Sequence, residues 1–123
     1  MSELTRENKA LMSHVYEEMW NQGQPASADG IFAQPPGVAR FVGEFLSAFA
    51  DLQHTVEGMI AEEDWVAVKF TARGTHTGPW LGFAPTRRAI QYTGITWARI
   101  AGGKIIEHHT EWDKAGLIEQ LKV

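Results

Sequence analysis

Cysteine is absent from the sequence, which excludes disulfide bonds, thiolate metal sites and a cysteine nucleophile. Long apolar runs are absent too, since none approaches the roughly 20 residues that a transmembrane helix needs. The first residues, Met1 to Glu7, are polar and lack the apolar segment of a secretion signal. These features predict a cytoplasmic protein that does not have a membrane as its partner.

An excess of positive charge is also missing. The formal net charge is −4, so there is no electrostatic reason to expect nucleic acid or an anionic membrane as a partner. The chain of 123 residues is long enough for one core and predicts a single domain over residues 1–123.

Aromatic residues, in contrast, are plentiful: the chain has five Trp, six Phe and two Tyr. Large aromatic side chains bury much area each, and Trp and Tyr also carry a polar group. Two interpretations remain open. The aromatic residues fill a core and an oligomer interface, or they line a cavity for an apolar ligand.

Three segments have the apolar spacing of helices: residues 4–21, 38–50 and 114–121. Ser2 is a candidate N-cap for the first helix, and Asp113 is one for the last. The stretch between the first two helices contains Gly and Pro and predicts a connection with one short helical turn.

From residue 52 onward the apolar period changes to two, which is typical of strands. On the first strand, His54 and Ile60 are expected to share one face. Helices followed by strands in hairpins predict an α+β fold with an antiparallel sheet. The predicted strands cover residues 52–62, 65–77, 87–100 and 104–112.

Several short motifs occur in a recognisable order along the chain. They are EMWNQG at 18–23, DLQHTVE at 51–57, WVAVKF at 65–70, RGTHTG at 73–78, GIT at 94–96, GKIIEH at 103–108 and GLIEQL at 116–121. In these motifs the chain resembles the SnoaL-like polyketide cyclases, or ester cyclases, of the nuclear-transport-factor-2-like superfamily. The resemblance implies a cone in which a curved antiparallel sheet wraps around the N-terminal helices and encloses an apolar pocket.

The resemblance also implies an activity and an assembly. Characterised cyclases of this kind close a polyketide ester by an intramolecular aldol reaction without metal or cofactor. An Asp on the final strand acts with a His on the preceding strand. Many relatives are homodimers that meet through the outer sheet face, so a homodimer is expected here.

This sequence departs from the family pattern at both catalytic positions. Thr110 stands where the Asp is expected, and Thr96 stands where the pocket His is expected. A threonine hydroxyl is not a general base near neutral pH. The connection over residues 22–37 is also shorter than is usual in the family.

Strand alternation indicates which side chains face the expected pocket. If Thr110 points inward, then His108 and Trp112 share its face. His108 is the candidate catalytic residue, as a general base or a hydrogen-bond donor; the alternative is a core histidine satisfied by a neighbouring hydroxyl or carbonyl group. The remaining candidate ligand-binding residues are Tyr16, Trp20, His54, Tyr92, Thr96, Thr110 and Trp112.

No metal site is expected, because His108 and His109 are adjacent on a strand and point to opposite faces. The favoured hypothesis is a protein with an apolar pocket that binds or converts a small hydrophobic carbonyl or polycyclic compound. It would do so by cofactor-free acid/base chemistry of the cyclase, isomerase or hydrolase kind. The alternative is a ligand-binding or dimerising module without catalysis.

Overall fold

A four-stranded antiparallel sheet curves around the helices in the computed structural model, which describes residues 2–122. The strands are β1 (Gln53–Glu62), β2 (Trp65–Thr75), β3 (Ala89–Ala101) and β4 (Lys104–Trp112), and they lie side by side in chain order. The sheet is open, with β1 and β4 at its edges. The predicted α+β fold and the predicted strands are therefore confirmed, with ends that differ by at most two residues.

Strand β3 shows the alternation most clearly, because its residues are alternately exposed and buried from Ala89 to Ala101. Strand β1 departs from this pattern. A bulge between Val56 and Gly58 shifts the register against β2 and reverses which side chains point inward. As a result Met59 packs against the core while Ile60 is 74% exposed. The expectation that Ile60 shares the face of His54 is wrong for this reason.

The first helix, α1, spans Glu3–His14 and is capped by the Ser2 hydroxyl, which accepts a hydrogen bond of 3.1 Å from the Thr5 N–H. The chain then continues as a π-helix over Val15–Asn21. The helix predicted over residues 4–21 is therefore present, but its last seven residues, Val15–Asn21, form a π-helix rather than an α-helix. Such segments carry i→i+5 hydrogen bonds and are frequent at functional sites.

The connection after the first helix contains the predicted short turn, as a 3₁₀ segment (Pro25–Ser27) followed by α2 (Ala28–Ile31). Helix α3 spans Pro35–Ala48 and begins earlier than expected. Proline at the first helical positions loses no intrahelical hydrogen bond, so Pro35 and Pro36 start the helix rather than precede it.

The last helix, α4 (Lys114–Leu121), begins at Asp113, whose carboxylate accepts a hydrogen bond of 2.9 Å from the Gly116 N–H. The predicted cap is confirmed. The hydrophobic core lies between the concave face of the sheet and the helices. Among residues 2–122, no helix has both the length and the apolar character needed to cross a bilayer.

Candidate functional site

Two adjoining cavities lie between the concave sheet face and the helices. The first, of about 80 Å³, contains His54 in its wall and is called the His54 lobe here. The second, of about 90 Å³, contains His108 and is called the His108 lobe. The side chains that line both lobes are Tyr16, Trp20, Phe41, Thr96 and Thr110.

All of the predicted ligand-binding residues line the His54 lobe. The predicted catalytic residue, His108, lines the neighbouring lobe instead. The structure thus brings the predicted residues around one divided cavity, and their roles stay predictions. Phe41 and Phe70 of the His54 lobe were missed by the sequence analysis, although the apolar stripe of α3 and the alternation of β2 place them on inward faces.

Three hydroxyl groups form a chain in the wall between the lobes. The Tyr16 hydroxyl donates a hydrogen bond of 2.7 Å to Thr96 Oγ1, and Thr96 Oγ1 lies 2.9 Å from Thr110 Oγ1. Each hydroxyl carries one hydrogen, so the two bonds use two of the three hydrogens. One O–H donor of the chain therefore remains for another partner.

The π-helix and the sheet position this chain together. Tyr16 lies in the π-helical segment, whereas Thr96 and Thr110 are directly opposite each other on β3 and β4. Burial raises the pKa of Tyr16 to about 12, against the opposing effect of its hydrogen bond to Thr96. Burial also raises the pKa of Tyr92, with a smaller contribution from Tyr16. These hydroxyl groups are therefore protonated near neutral pH.

His54 is the most enclosed titratable group of the cavity wall apart from the tyrosines. Its side chain is buried among aromatic rings, with ring centroids 4.7 Å from Trp20, 5.1 Å from Phe70 and 5.6 Å from Tyr16. Burial lowers its pKa from 6.5 to about 4, so the imidazole is neutral near pH 7.

The backbone of His54 is held by Asn21 at the end of the π-helix. The Asn21 side chain accepts a hydrogen bond of 2.6 Å from the His54 N–H and donates one of 2.9 Å to the His54 carbonyl. Strand β1 is an edge strand, so these bonds occupy backbone groups that no neighbouring strand pairs. Asn21 thereby joins the helix that carries Tyr16 and Trp20 to the strand that carries His54.

His108 lies on β4 at the open side of its lobe. Its ring packs edge-on against Phe32, with centroids 5.1 Å apart, while the residue remains exposed to solvent. Partial burial, and secondly the nearby His109, lower its pKa. Its side chain makes no hydrogen bond to another residue within 2–122, and the nearby Asp113 carboxylate caps α4.

Every residue of β4 from Ile106 to Glu111 is exposed, so burial alone does not separate the two faces of this strand. His109 Nε2 and Glu111 Oε1 lie 2.7 Å apart on the exposed face. No Asp, Glu, Lys or Arg lines either lobe, and residues 2–122 contain no group of three His, Asp or Glu side chains able to hold a metal ion. The cavity is thus an uncharged aromatic enclosure with a few hydroxyl and imidazole groups.

The chain is thus an α+β protein in which a curved antiparallel sheet packs against helices around an aromatic cavity. The family model for SnoaL-like polyketide cyclases matches residues 10–121. Nogalonic acid methyl ester cyclase of Streptomyces nogalater is 31% identical over 99 residues, which cover 79% of this chain and 74% of that protein. The chain belongs to the SnoaL-like polyketide cyclase family.

Solved structures agree with this assignment. The chain superposes on AclR from Streptomyces galilaeus, a proposed hydroxylase, with a TM-score of 0.86 and 26% identity, over 95% of this chain and 85% of AclR. A proposed polyketide cyclase from Acidithiobacillus ferrooxidans gives a TM-score of 0.86 at 22% identity, covering 98% and 97% of the two chains. At that identity the second comparison shows the shared fold only.

Proposed function

We propose that this protein converts a small, uncharged, hydrophobic carbonyl compound by cofactor-free acid/base chemistry, with His108 as the general base. The observation that carries the proposal is that His108 lines the same lobe as the Thr96–Thr110 hydroxyl pair. A base and a free hydroxyl donor on one cavity are the two groups needed to form and stabilise an enolate.

The proposed step is a proton transfer followed by ring closure. The neutral His108 imidazole takes a proton from the carbon next to a carbonyl group, and the C–H electron pair moves into an enolate. The free O–H of the hydroxyl chain donates to the enolate oxygen. The enolate carbon then attacks a second carbonyl of the same molecule, a C–C bond forms, and the new alkoxide takes the proton back from the imidazolium.

Cavity size limits the ligand. Drug-sized ligands occupy pockets of roughly 300–1,000 Å³, whereas each lobe has less than about 100 Å³. A polycyclic ligand therefore requires the two lobes to open into one. Phe41 and Trp20 contribute to the wall of both lobes, and Phe41 is 50% exposed, so its movement is the expected route.

The test is an activity assay with a matched pair of histidine variants. The first substrate is nogalonic acid methyl ester, the compound in the name of the Streptomyces nogalater relative. Ring closure is followed by absorbance. We expect His108→Gln to lower kcat by about 10²–10⁴-fold, the usual contribution of a general base. His109→Gln, one residue along on the outer face, should leave kcat unchanged. Equal rates for the wild type and His108→Gln would refute the role of His108.

The second candidate function is ligand binding without conversion. It is favoured by the two threonines at the positions where the family resemblance places Asp and His. In that case the methyl ester raises the melting temperature by mass action, and no product forms. Product analysis after prolonged incubation separates this function from the enzymatic one.

A homodimer through the outer sheet face is also proposed. That face carries Trp65 stacked on Trp97, with centroids 4.8 Å apart, and Ile95, which is 50% exposed. Contiguous exposed apolar patches are typical of interaction sites. Trp97→Glu should convert a dimer to a monomer in sedimentation velocity, whereas Leu4→Glu on α1 should not. A wild-type monomer at high concentration would contradict the dimer.

The cytoplasmic location, the single domain over residues 1–123 and the absence of nucleic acid as a partner stay predictions from composition.

A further inference from the structure

His54 has a feature that the proposed reaction does not use. The residue is only 7% exposed, and its Nδ1 atom is buried without a hydrogen-bond partner. Within residues 2–122, its Nε2 atom makes no hydrogen bond either. Buried side-chain polar atoms in proteins usually have at least one partner. Nδ1 is sealed from the cavity, whereas Nε2 is not among the buried unpartnered atoms, so Nε2 is the nitrogen that an occupant of the cavity can reach and pair.

The surroundings define which occupant fits. The rings around His54 belong to Tyr16, Trp20, Phe70 and Tyr92, at centroid distances of 4.7–6.4 Å. Aromatic walls favour a flat aromatic ligand, which they contact in stacked or edge-on geometry. Because no charged side chain lines the lobe, an ionised ligand group would be buried without a counter-charge, which is strongly unfavourable. The occupant is therefore an uncharged aromatic ring.

The hydrogen-bonding roles in the cavity decide which group the ring carries. The hydroxyl chain of Tyr16, Thr96 and Thr110 has a free hydrogen and can serve a ligand carbonyl as donor. In the tautomer with its proton on Nδ1, the accessible Nε2 carries the lone pair, and this acceptor requires a ligand group that donates. A hydroxyl group on the ring meets that requirement.

We propose that His54 is the specificity-determining residue of the His54 lobe, and that it accepts a hydrogen bond from a phenolic hydroxyl group of an uncharged aromatic ligand. This inference rests on the proposed function, because it assigns a ligand to the same cavity. The two histidines then have different roles: His54 determines the affinity for the ligand, and His108 determines the rate of turnover.

The test compares phenol with benzene, which has the same ring without the hydroxyl. Dissociation constants are measured by calorimetry on the full chain for the wild type, His54→Leu, His54→Gln and the outer-face control His109→Gln. We expect the wild type and His109→Gln to bind phenol roughly tenfold more tightly than benzene, as one buried hydrogen bond allows. His54→Leu should bind the two equally, and His54→Gln should keep most of the preference through its amide oxygen.

A second measurement reads the imidazole directly. The ¹⁵N resonances of the His54 ring, assigned with His54→Gln, should shift when phenol is added and not when benzene is added. The proposal is overturned if the wild type binds neither probe or does not distinguish them, if His54→Leu keeps the preference, or if the ¹⁵N resonances do not move. Phenol preference without turnover of a methyl ester would instead leave this proposal intact and refute the enzymatic function.

Discussion

Thr96 and Thr110 face each other across β3 and β4 with their hydroxyl oxygens 2.9 Å apart, at the positions where the family resemblance places the acid/base pair. The Tyr16 hydroxyl, 80 residues away from Thr96 in the chain, joins them as a donor. If the positions implied by the resemblance are correct, an uncharged hydroxyl chain stands where ionisable groups are expected. Under the proposed function, proton transfer is then assigned to an imidazole.

The hydrogen bond between Tyr16 and Thr96 should be measurable as a coupling energy. Thr96→Val leaves the buried Tyr16 hydroxyl without its acceptor, which costs about 1–3 kcal/mol of unfolding free energy. Tyr16→Phe in the same protein removes the unsatisfied group, so the double variant should lose less than the sum of the single losses. Urea unfolding of the four proteins checks this. Strict additivity would mean that the hydrogen bond makes no net contribution.

The pH dependence of stability should report the burial of His54. Its folded-state pKa of about 4 lies below the unfolded value of 6.5, so between these values the unfolded chain binds the proton more readily. Stability is therefore fully present above about pH 6.5 and is lost as the pH falls toward 4, by roughly 3 kcal/mol from this one residue.

Comparison of the wild type with His54→Leu isolates that contribution. Urea unfolding from pH 7 to pH 4 should show a shallower loss in the variant, whereas His109→Gln on the exposed face should follow the wild type. Parallel curves for the wild type and His54→Leu would show that His54 is not held neutral in the folded state.

The contact between Asn21 and His54 should stabilise the protein and the cavity together. Asn21→Ala removes one donor and one acceptor from the exposed edge of β1, and we expect a loss of about 1–3 kcal/mol. Gln53→Ala is the matched control, because Gln53 makes a single exposed hydrogen bond to the Asn21 carbonyl. Its loss should stay below about 0.5 kcal/mol. The unfolding free energies of both variants are measured by thermal or urea unfolding. Similar losses would show that the two Asn21 bonds to His54 stabilise the protein no more than the exposed Gln53 bond does.

Gly94 should not tolerate a methyl group. A Cβ atom there would lie 2.5 Å from Phe70 Cζ and 3.0 Å from the Glu111 carbonyl oxygen, and the latter belongs to the backbone of β4. Gly94→Ala should therefore destabilise by about 1–3 kcal/mol and shift the cavity wall at Phe70.

Gly43→Ala provides the contrast, because nothing lies within 4 Å of a Cβ atom at this position in α3. Alanine is the better helix former by about 1 kcal/mol. We therefore expect a gain in stability. Melting temperatures of the two variants should move in opposite directions, and a neutral Gly94→Ala would show that β3 and β4 can separate locally.

Periodicity predicted most of the fold, since it depends on neighbours close in sequence. The prediction of strand β3 needed only the spacing of apolar residues. The prediction of the two helix caps, at Ser2 and Asp113, needed only local side-chain chemistry. The bulge in β1 was not predicted, because an extra residue in a strand is set by pairing with β2 rather than by the strand's own pattern. It reversed the expected orientation of Ile60.

The sequence alone thus determined the family, the α+β architecture and some of the side chains that line the cavity, because alternation and helical spacing fix which residues share a face. Only the tertiary structure decided how these residues meet. The division of the cavity into two lobes, the hydrogen bond from Tyr16 to Thr96 and the burial of His54 Nδ1 without a partner all depend on contacts between distant segments. Such contacts are set by the packing of the π-helix against the sheet, which no local pattern encodes.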